Sequence, residues 1–282
     1  MYNLTGIYWI KNEARYIPEY VEFHLLQGFD HFIFYDNNSD DNLLEVISPY
    51  IEDGLVEIRN YPPEVTHRKN FWIMDHCIHE QRGKSKWVHY HALDERLFCP
   101  DGKNLVEFLK DYEEYGGVSV GWIFFNSNGH VNRPDGLSID NFTTALNDSS
   151  CHVKTIIRPE KATSTIGNPH NFFYEGTNAV DEKFNPVHSA WNCENYSFDL
   201  IKLHHYVCMS EEEFNIKQNK GVLDHSIEDR RRPEADEQWI WLHSPDNNYY
   251  EDTSLLKYSE EIKRNIANRY SGKEHLLQYI NH

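Results

Sequence analysis

The sequence predicts an α/β domain: a mostly parallel sheet flanked by helices, with a helical extension at the C-terminus. Three observations predict it. Short apolar, β-branched segments alternate with helix-length amphipathic segments over the first hundred residues. Each of the first three helical segments closes on a glycine, and polar residues gather where the strands end. Strands that alternate with helices of this length fold as right-handed βαβ units.

The elements follow in order. "TGIYWI" reads as a strand, and "ARYIPEYVEFHLLQG" shows helical spacing with its closing glycine. "HFIFYD", "NLLEVISPYIEDG" and "LVEIRNY" repeat the alternation. "HRKNFWIMDHCIHEQRG" gives a third helix and "KWVHYHAL" a fourth strand. Beyond about residue 100 the pattern changes. "GGVSVGWIFF" is a strand, "NSNGHVNRPDG" a polar loop, and a helix is expected from Leu137 to about Leu146. Strand-like "HVKTIIRP", "HNFFYEG" and "YSFDLIKLHHYV" come next, then an acidic helix from Ser210 to about Lys220 and a polar helix from Leu255 to about Tyr270. Residues 1–220 read as one domain, with a ligand-binding half (1–100) and a second half (101–220), and 221–282 as a C-terminal loop and helix.

Composition excludes several classes of function. The 282 residues carry 27 basic against 45 acidic side chains, a net charge of -18, which disfavours nucleic acid and anionic membranes as partners. The five cysteines are scattered without a CxxC, as expected of reduced thiols in a cytosol-like compartment. No stretch approaches the roughly 20 apolar residues that span a bilayer, and no signal peptide is expected. A soluble, cytoplasmic protein is the expectation.

In open α/β sheets ligands bind at the carboxyl ends of the strands. That rule points to Lys11–Glu13, Asp36–Asp41 and Asp94–Glu95. Lys11, Asn12 and Glu13 follow the first strand, where Asn12 and Glu13 either hydrogen-bond a nucleotide or simply open a helix. Asp36 follows the second strand; its carboxylate suits the N3–H of uracil, and "DNNSDDN" equally suits a turn. Arg68, Lys69 and Asn70 open the third helix, whose free N–H groups favour anions. Arg68 and Asn70 therefore face either a diphosphate or solvent. The run Arg230–Arg232 is flanked by acids and reads as a surface loop, or else as a lid over a diphosphate.

Strand–"KNE"–helix followed by strand–"YDNNSDDN"–helix–"PYIEDGLVEI" resembles the start of a GT-A glycosyltransferase, and more narrowly glycosyltransferase family 92. The likeness continues through "WVHYHALDERLF", "GGVSVGWIFFNSNGHVNRPDGL", "HVKTIIRPE", "NPHNFF" and "HHYVCMSEEEF", over roughly residues 5–220. The resemblance implies inverting transfer of a sugar from a UDP-sugar to a glycan hydroxyl. The sugar would be galactose or a pentose such as xylose, and the acceptor would be fucose on a glycan.

The resemblance also implies roles for single residues. Where the family has D-x-D, this chain has Ala92 and Asp94, so the Mn²⁺ or Mg²⁺ that would bridge the diphosphate is expected to be weakly held. Asp94 and His205 are its implied ligands, assembled only with the nucleotide; His205 reads otherwise as an ordinary strand histidine. His91 and Arg96 depart from the family pattern as well. Asp135 takes the place of the base that removes the acceptor proton, or is a helix-start acid. His130 and His170 match family positions for acceptor or phosphate, and Trp122 suits the face of a sugar or a place in the core. Two rival readings remain. One is a GT-A fold that has lost catalysis and serves as a nucleotide- or glycan-binding module, with Ala92 as its motive. The other is a metal-dependent phosphohydrolase, which lacks the clustered ligands it would need.

Overall fold

The computed structural model describes residues 1–60, 69–147, 152–166, 169–190, 197–219 and 235–281. Arg68 and Arg230–Arg232 lie outside the described residues.

The first half follows the expected alternation. Strand β1 spans Tyr2–Ile10, and a 3-10 turn at Ala14–Tyr16 leads into α1, Ile17–Leu26. Then come β2 (His31–Asp36), α2 (Leu43–Glu52), β3 (Val56–Asn60), α3 (Lys69–Gln81) and β4 (Ser85–Tyr90). Next are β5 (Glu95–Phe98), α4 (Leu105–Phe108), β6 (Gly117–Phe124), α5 (Ser138–Asn141) and β7 (Thr144–Leu146). Strands β8 (Val153–Ile157), β9 (Ala162–Thr165), β10 (Phe172–Tyr174), β11 (Ala179–Val180), β12 (Pro186–Val187) and β13 (Lys202–His205) follow. Helices α6 (Glu211–Asn219) and α7 (Ala235–Leu242), strand β14 (Tyr249–Glu251) and helix α8 (Ser259–Arg269) complete the domain, and a last turn, α9, spans Gln278–Asn281.

Ten strands form one sheet across both halves, in the order β12-β11-β6-β8-β4-β1-β2-β3, with β13 beside β6 and β5 beside β13. Strands β4, β1, β2 and β3 run parallel. Strand β8 is antiparallel to both β4 and β6, so β6 runs with β4, and β13 is parallel to β6. The C-terminal ends of β1, β4, β6 and β13 therefore share one edge with the start of β8. This topology places the site.

Strand β1 lies at the centre and is buried on both faces from Leu4 onward, which explains the apolar run Gly6–Ile10. Leu4, Tyr8 and Ile10 pack towards α1 and α2, while Ile7 packs with Ile73, Met74 and Cys77 of α3. The extension is not separate from this core. Helix α8 lies against α1, Arg269 Nε donates to Glu22 Oε1 at 2.7 Å, and the Tyr270 hydroxyl donates to the Val46 carbonyl.

Two expected elements are corrected. The helix from Leu137 to Leu146 is one turn only: Phe142 leaves helical geometry at φ -116°, ψ 93°, and the Asn141 amide caps the Asp135 and Leu137 carbonyls. The next residues instead pair as β7 with β14, about a hundred residues later in the chain. In "YSFDLIKLHHYV" only Lys202–His205 is strand among the described residues.

Candidate active site

Asp94 ends the loop after β4 and Glu95 opens β5, and the loop is shaped by its own turn. Glu95 N donates to the Ala92 carbonyl at 3.1 Å, and Ala92 N donates back to Glu95 Oε2 at 3.2 Å. Glu95 Oε1 sits 3.4 Å from Lys154 Nζ, which lies over the rings of Tyr90 and Trp122. Asp94 is buried. Its Oδ2 meets both the ammonium of Lys217, from α6, and Nε2 of His205, at 3.5 Å from the end of β13. Burial pushes the Asp94 carboxyl up, but Lys217 and then His205 outweigh it and hold the group well below the usual carboxylate range. Asp94 is therefore an anion at any ordinary working pH.

These residues line a cavity of about 450 Å³ together with Trp9, Glu13, Asn70, His152, His170 and Gln238. Trp122 forms one wall. Its ring stacks on His152 with centroids 5.1 Å apart and touches His205 and His170. His170 Nδ1 bonds the Val153 carbonyl at 2.8 Å. Burial, followed by the nearby Lys154 charge, lowers the His170 pKa well below that of a free imidazole, so the ring is neutral. A smaller cavity of about 110 Å³ shares Glu13, Asp94 and Lys217 and adds Asn12.

The other expected residues divide. Asn12 adopts φ 52°, a left-handed conformation that asparagine tolerates better than most residues, and its Oδ1 accepts from Asp40 N at 2.9 Å. Asp36 Oδ1 accepts from both the N–H and the hydroxyl of Ser39, so "DNNSD" does form a turn. The Lys11 ammonium bonds the carbonyls of Asn37 and Asn38 and ties the ends of β1 and β2 together. Asn70 lines the main cavity and accepts from the Tyr90 hydroxyl. Asp135 and His130 are not brought into that cavity. Asp135 is exposed, and its neighbours Pro134 and Gly136 line a separate, mostly apolar cavity of about 300 Å³. His130 lies in the same loop with its ring edge-on to Phe142.

The two departures, His91 and Arg96, have structural reasons. His91 Nε2 lies 2.7 Å from the Tyr8 hydroxyl and also meets Tyr20, in a fully buried aromatic cluster. Arg96 is fully buried against Glu19.

Sequence reasoning missed Lys154, His152 and Lys217. Lys217 stands four residues after Glu213, which reads as a solvated i,i+4 pair. That face in fact points inward: Glu213 accepts from the hydroxyls of Tyr16 and Ser210, and Lys217 reaches Asp94.

A divalent metal finds a poor fit here. Among the described residues no three His, Cys, Asp or Glu side chains converge where they could hold a metal ion, so the protein alone offers no full ligand set. Asp94 and His205 are two donors, Ala92 supplies none, and an ammonium already stands on the Asp94 oxygen that faces His205. Nor is any helix among the described residues long and apolar enough to cross a membrane.

The model of glycosyltransferase family 92 matches residues 4–266, beyond the point near residue 220 where recognisable motifs stop. The chain belongs to glycosyltransferase family 92. This family 92 chain is 28% identical over 224 residues to a glycosyltransferase family 92 protein of Ricinus communis, covering 78% of this chain and 38% of the relative. It is 22% identical over 111 residues to the galactan beta-1,4-galactosyltransferase GALS2 of Arabidopsis thaliana, covering 37% of this chain and 21% of that one. It thus spans well under half the length of these curated relatives. Among solved structures, S. aureus TarS aligns with a TM-score of 0.37 at 10% identity, covering 86% of this chain and 44% of TarS.

Proposed function

We propose that this family 92 chain transfers a sugar from a UDP-sugar to a glycan hydroxyl with inversion at the anomeric carbon. The observation that carries this reading is the cavity at the shared strand edge, where Asp94, Lys154 and Lys217 meet the aromatic walls of Trp9, Tyr90 and Trp122. Cationic groups suit a diphosphate, and aromatic faces suit sugar and base. The acceptor oxygen bonds to the anomeric carbon as the bond from that carbon to the β-phosphate oxygen breaks. The electron pair leaves on UDP, and the acceptor proton passes to a carboxylate. Galactose is the first donor to try, because relatives carry galactosyltransferase names, and xylose is the second.

Uracil recognition falls to Asp36, whose Oδ1 is held by Ser39 while Oδ2 has no hydrogen bond among the described residues. We expect UDP to bind more tightly than GDP or CDP, with a Kd of the micromolar order usual for KM values. Asp36→Ala should weaken UDP by about tenfold, one lost hydrogen bond to a charged group. Calorimetry that returns equal affinity for the three nucleotides removes this role.

Asp135 is proposed as the base on its place in the loop that leaves β6 at the edge bearing Asp94 and His205. Asp135→Asn should lower kcat by about a hundredfold and leave UDP affinity unchanged, as for lost general-base catalysis. A normal rate passes the role to Glu13 or Glu95, the other carboxylates of the cavity besides Asp94. A donor screen by UDP release, with UDP-galactose and UDP-xylose and with and without EDTA, tests the activity as a whole. Tight UDP binding with no turnover of any donor supports the binding-module reading that Ala92 motivates.

A further inference from the structure

We infer that the Lys217 ammonium is the cation that receives the diphosphate of the donor, in the place a divalent metal would take; this rests on the UDP-sugar reading above. Charge is the first argument. Two aspartates at 92 and 94 would present two negative charges, which suit a divalent ion bridging to phosphate. Ala92 leaves one charge, and one ammonium balances it. Geometry is the second. Lys217 Nζ stands on Asp94 Oδ2 and 3.3 Å from the Val207 carbonyl. A lysine ammonium has three donors and no acceptor. Two are used here, and among the described residues no partner takes the third. Placement is the third argument. The Lys217 side chain is 27% exposed while the Asp94 side chain is 7% exposed, so the cation lies on the cavity side of the carboxylate and both line the same two cavities. An incoming phosphate oxygen meets the ammonium before it meets the anion.

Lys217 thus acts on the leaving group. As the anomeric C–O bond breaks, the electron pair gathers on the diphosphate, and the third N–H of Lys217 is the donor placed to take the growing charge. Asp94 positions that donor, and helix α6 carries it. Arginine at 217 keeps charge and donors but changes their geometry, so it should keep part of the effect.

The test is calorimetry on the full chain in excess EDTA, with UDP and uridine as probes. Wild type is expected to bind UDP at least about tenfold more tightly than uridine, the order of a charge-assisted contact to phosphate. Lys217→Met and Lys217→Gln should each remove most of that preference while uridine affinity changes by less than about twofold, and Lys217→Arg should restore part of it. In a separate titration without EDTA, protein with UDP should lower the paramagnetic resonance of free Mn²⁺ no further than UDP alone lowers it. A UDP preference that appears only when Mn²⁺ is added, or that survives in Lys217→Met and Lys217→Gln, overturns the role of Lys217 and leaves the donor reading standing. Wild type that binds no uridine nucleotide with or without Mn²⁺ overturns the donor reading itself.

Discussion

Asp94→Ala is expected to lower turnover of the preferred UDP-sugar by about a thousandfold, the upper range for loss of one electrostatic contributor to a transition state. The size follows from what the carboxylate holds. Its Oδ2 meets Lys217 and His205, so its loss releases the two groups that reach the cavity from α6 and β13. Lys217 is partly exposed and can turn to solvent, so the variant should fold and lose activity through misplacement of the charge. Asp94→Asn keeps the shape but not the charge, and should be nearly as inactive. Turnover of wild type should persist in EDTA, because the cation in this arrangement is covalently part of the chain. Initial rates of UDP release for wild type and both variants, with thermal midpoints to confirm folding, check this. A rate within tenfold of wild type for Asp94→Ala sinks the assignment of the loop after β4 to the reaction.

The sequence made the frame of that site legible, and the reason is local. Strands β1 to β4 and their helices carry alternating periodicity and closing glycines, and the rule that ligands sit at strand ends led directly to Glu13 and Asp94. What was not legible depends on long-range pairing. Strand β7 exists because β14 pairs with it, and no local signal in "TAL" or "YYE" announces that partnership. His152 and Lys154 enter the cavity only because β8 runs antiparallel between β4 and β6, which puts its beginning at the edge where its neighbours end. Lys217 was hidden by its own helix, since an acidic segment with a lysine four residues after a glutamate looks solvated. Asp36 and Asn12 show the converse: residues chosen for ligand chemistry are also structural, one closing a turn and the other adopting the left-handed backbone that the turn between β1 and α1 needs.

Glu19→Ala is expected to destabilise the fold by about 3–5 kcal/mol, the range for stranding one partner of a buried ion pair. Arg96 has no exposed surface, and its Nη2 donates to Glu19 Oε1 at 2.9 Å and to Ser138 Oγ at 3.0 Å. Glu19 also accepts from the backbone N–H groups of Ser138 and Ile139, at 2.7 and 3.3 Å, and so satisfies the start of the one-turn helix α5. Without it a guanidinium is buried with no counter-charge and two N–H groups lose their acceptor. Replacing both partners tests whether the stranded charge is the cause: Glu19→Leu with Arg96→Met should be markedly less destabilised than Glu19→Ala, since an apolar pair of similar volume leaves nothing unpaired. Urea denaturation of the two variants supplies the numbers, and equal losses would place the effect in the backbone bonds to α5 instead. The consequence for function is positional. Arg96 Nη1 donates to the Leu93 carbonyl at 2.6 Å, one residue before Asp94, while Ser138 follows the loop of Asp135. The Glu19–Arg96 pair therefore ties the loop after β4 to the loop after β6, and Glu19→Ala should lower turnover even well below its melting temperature.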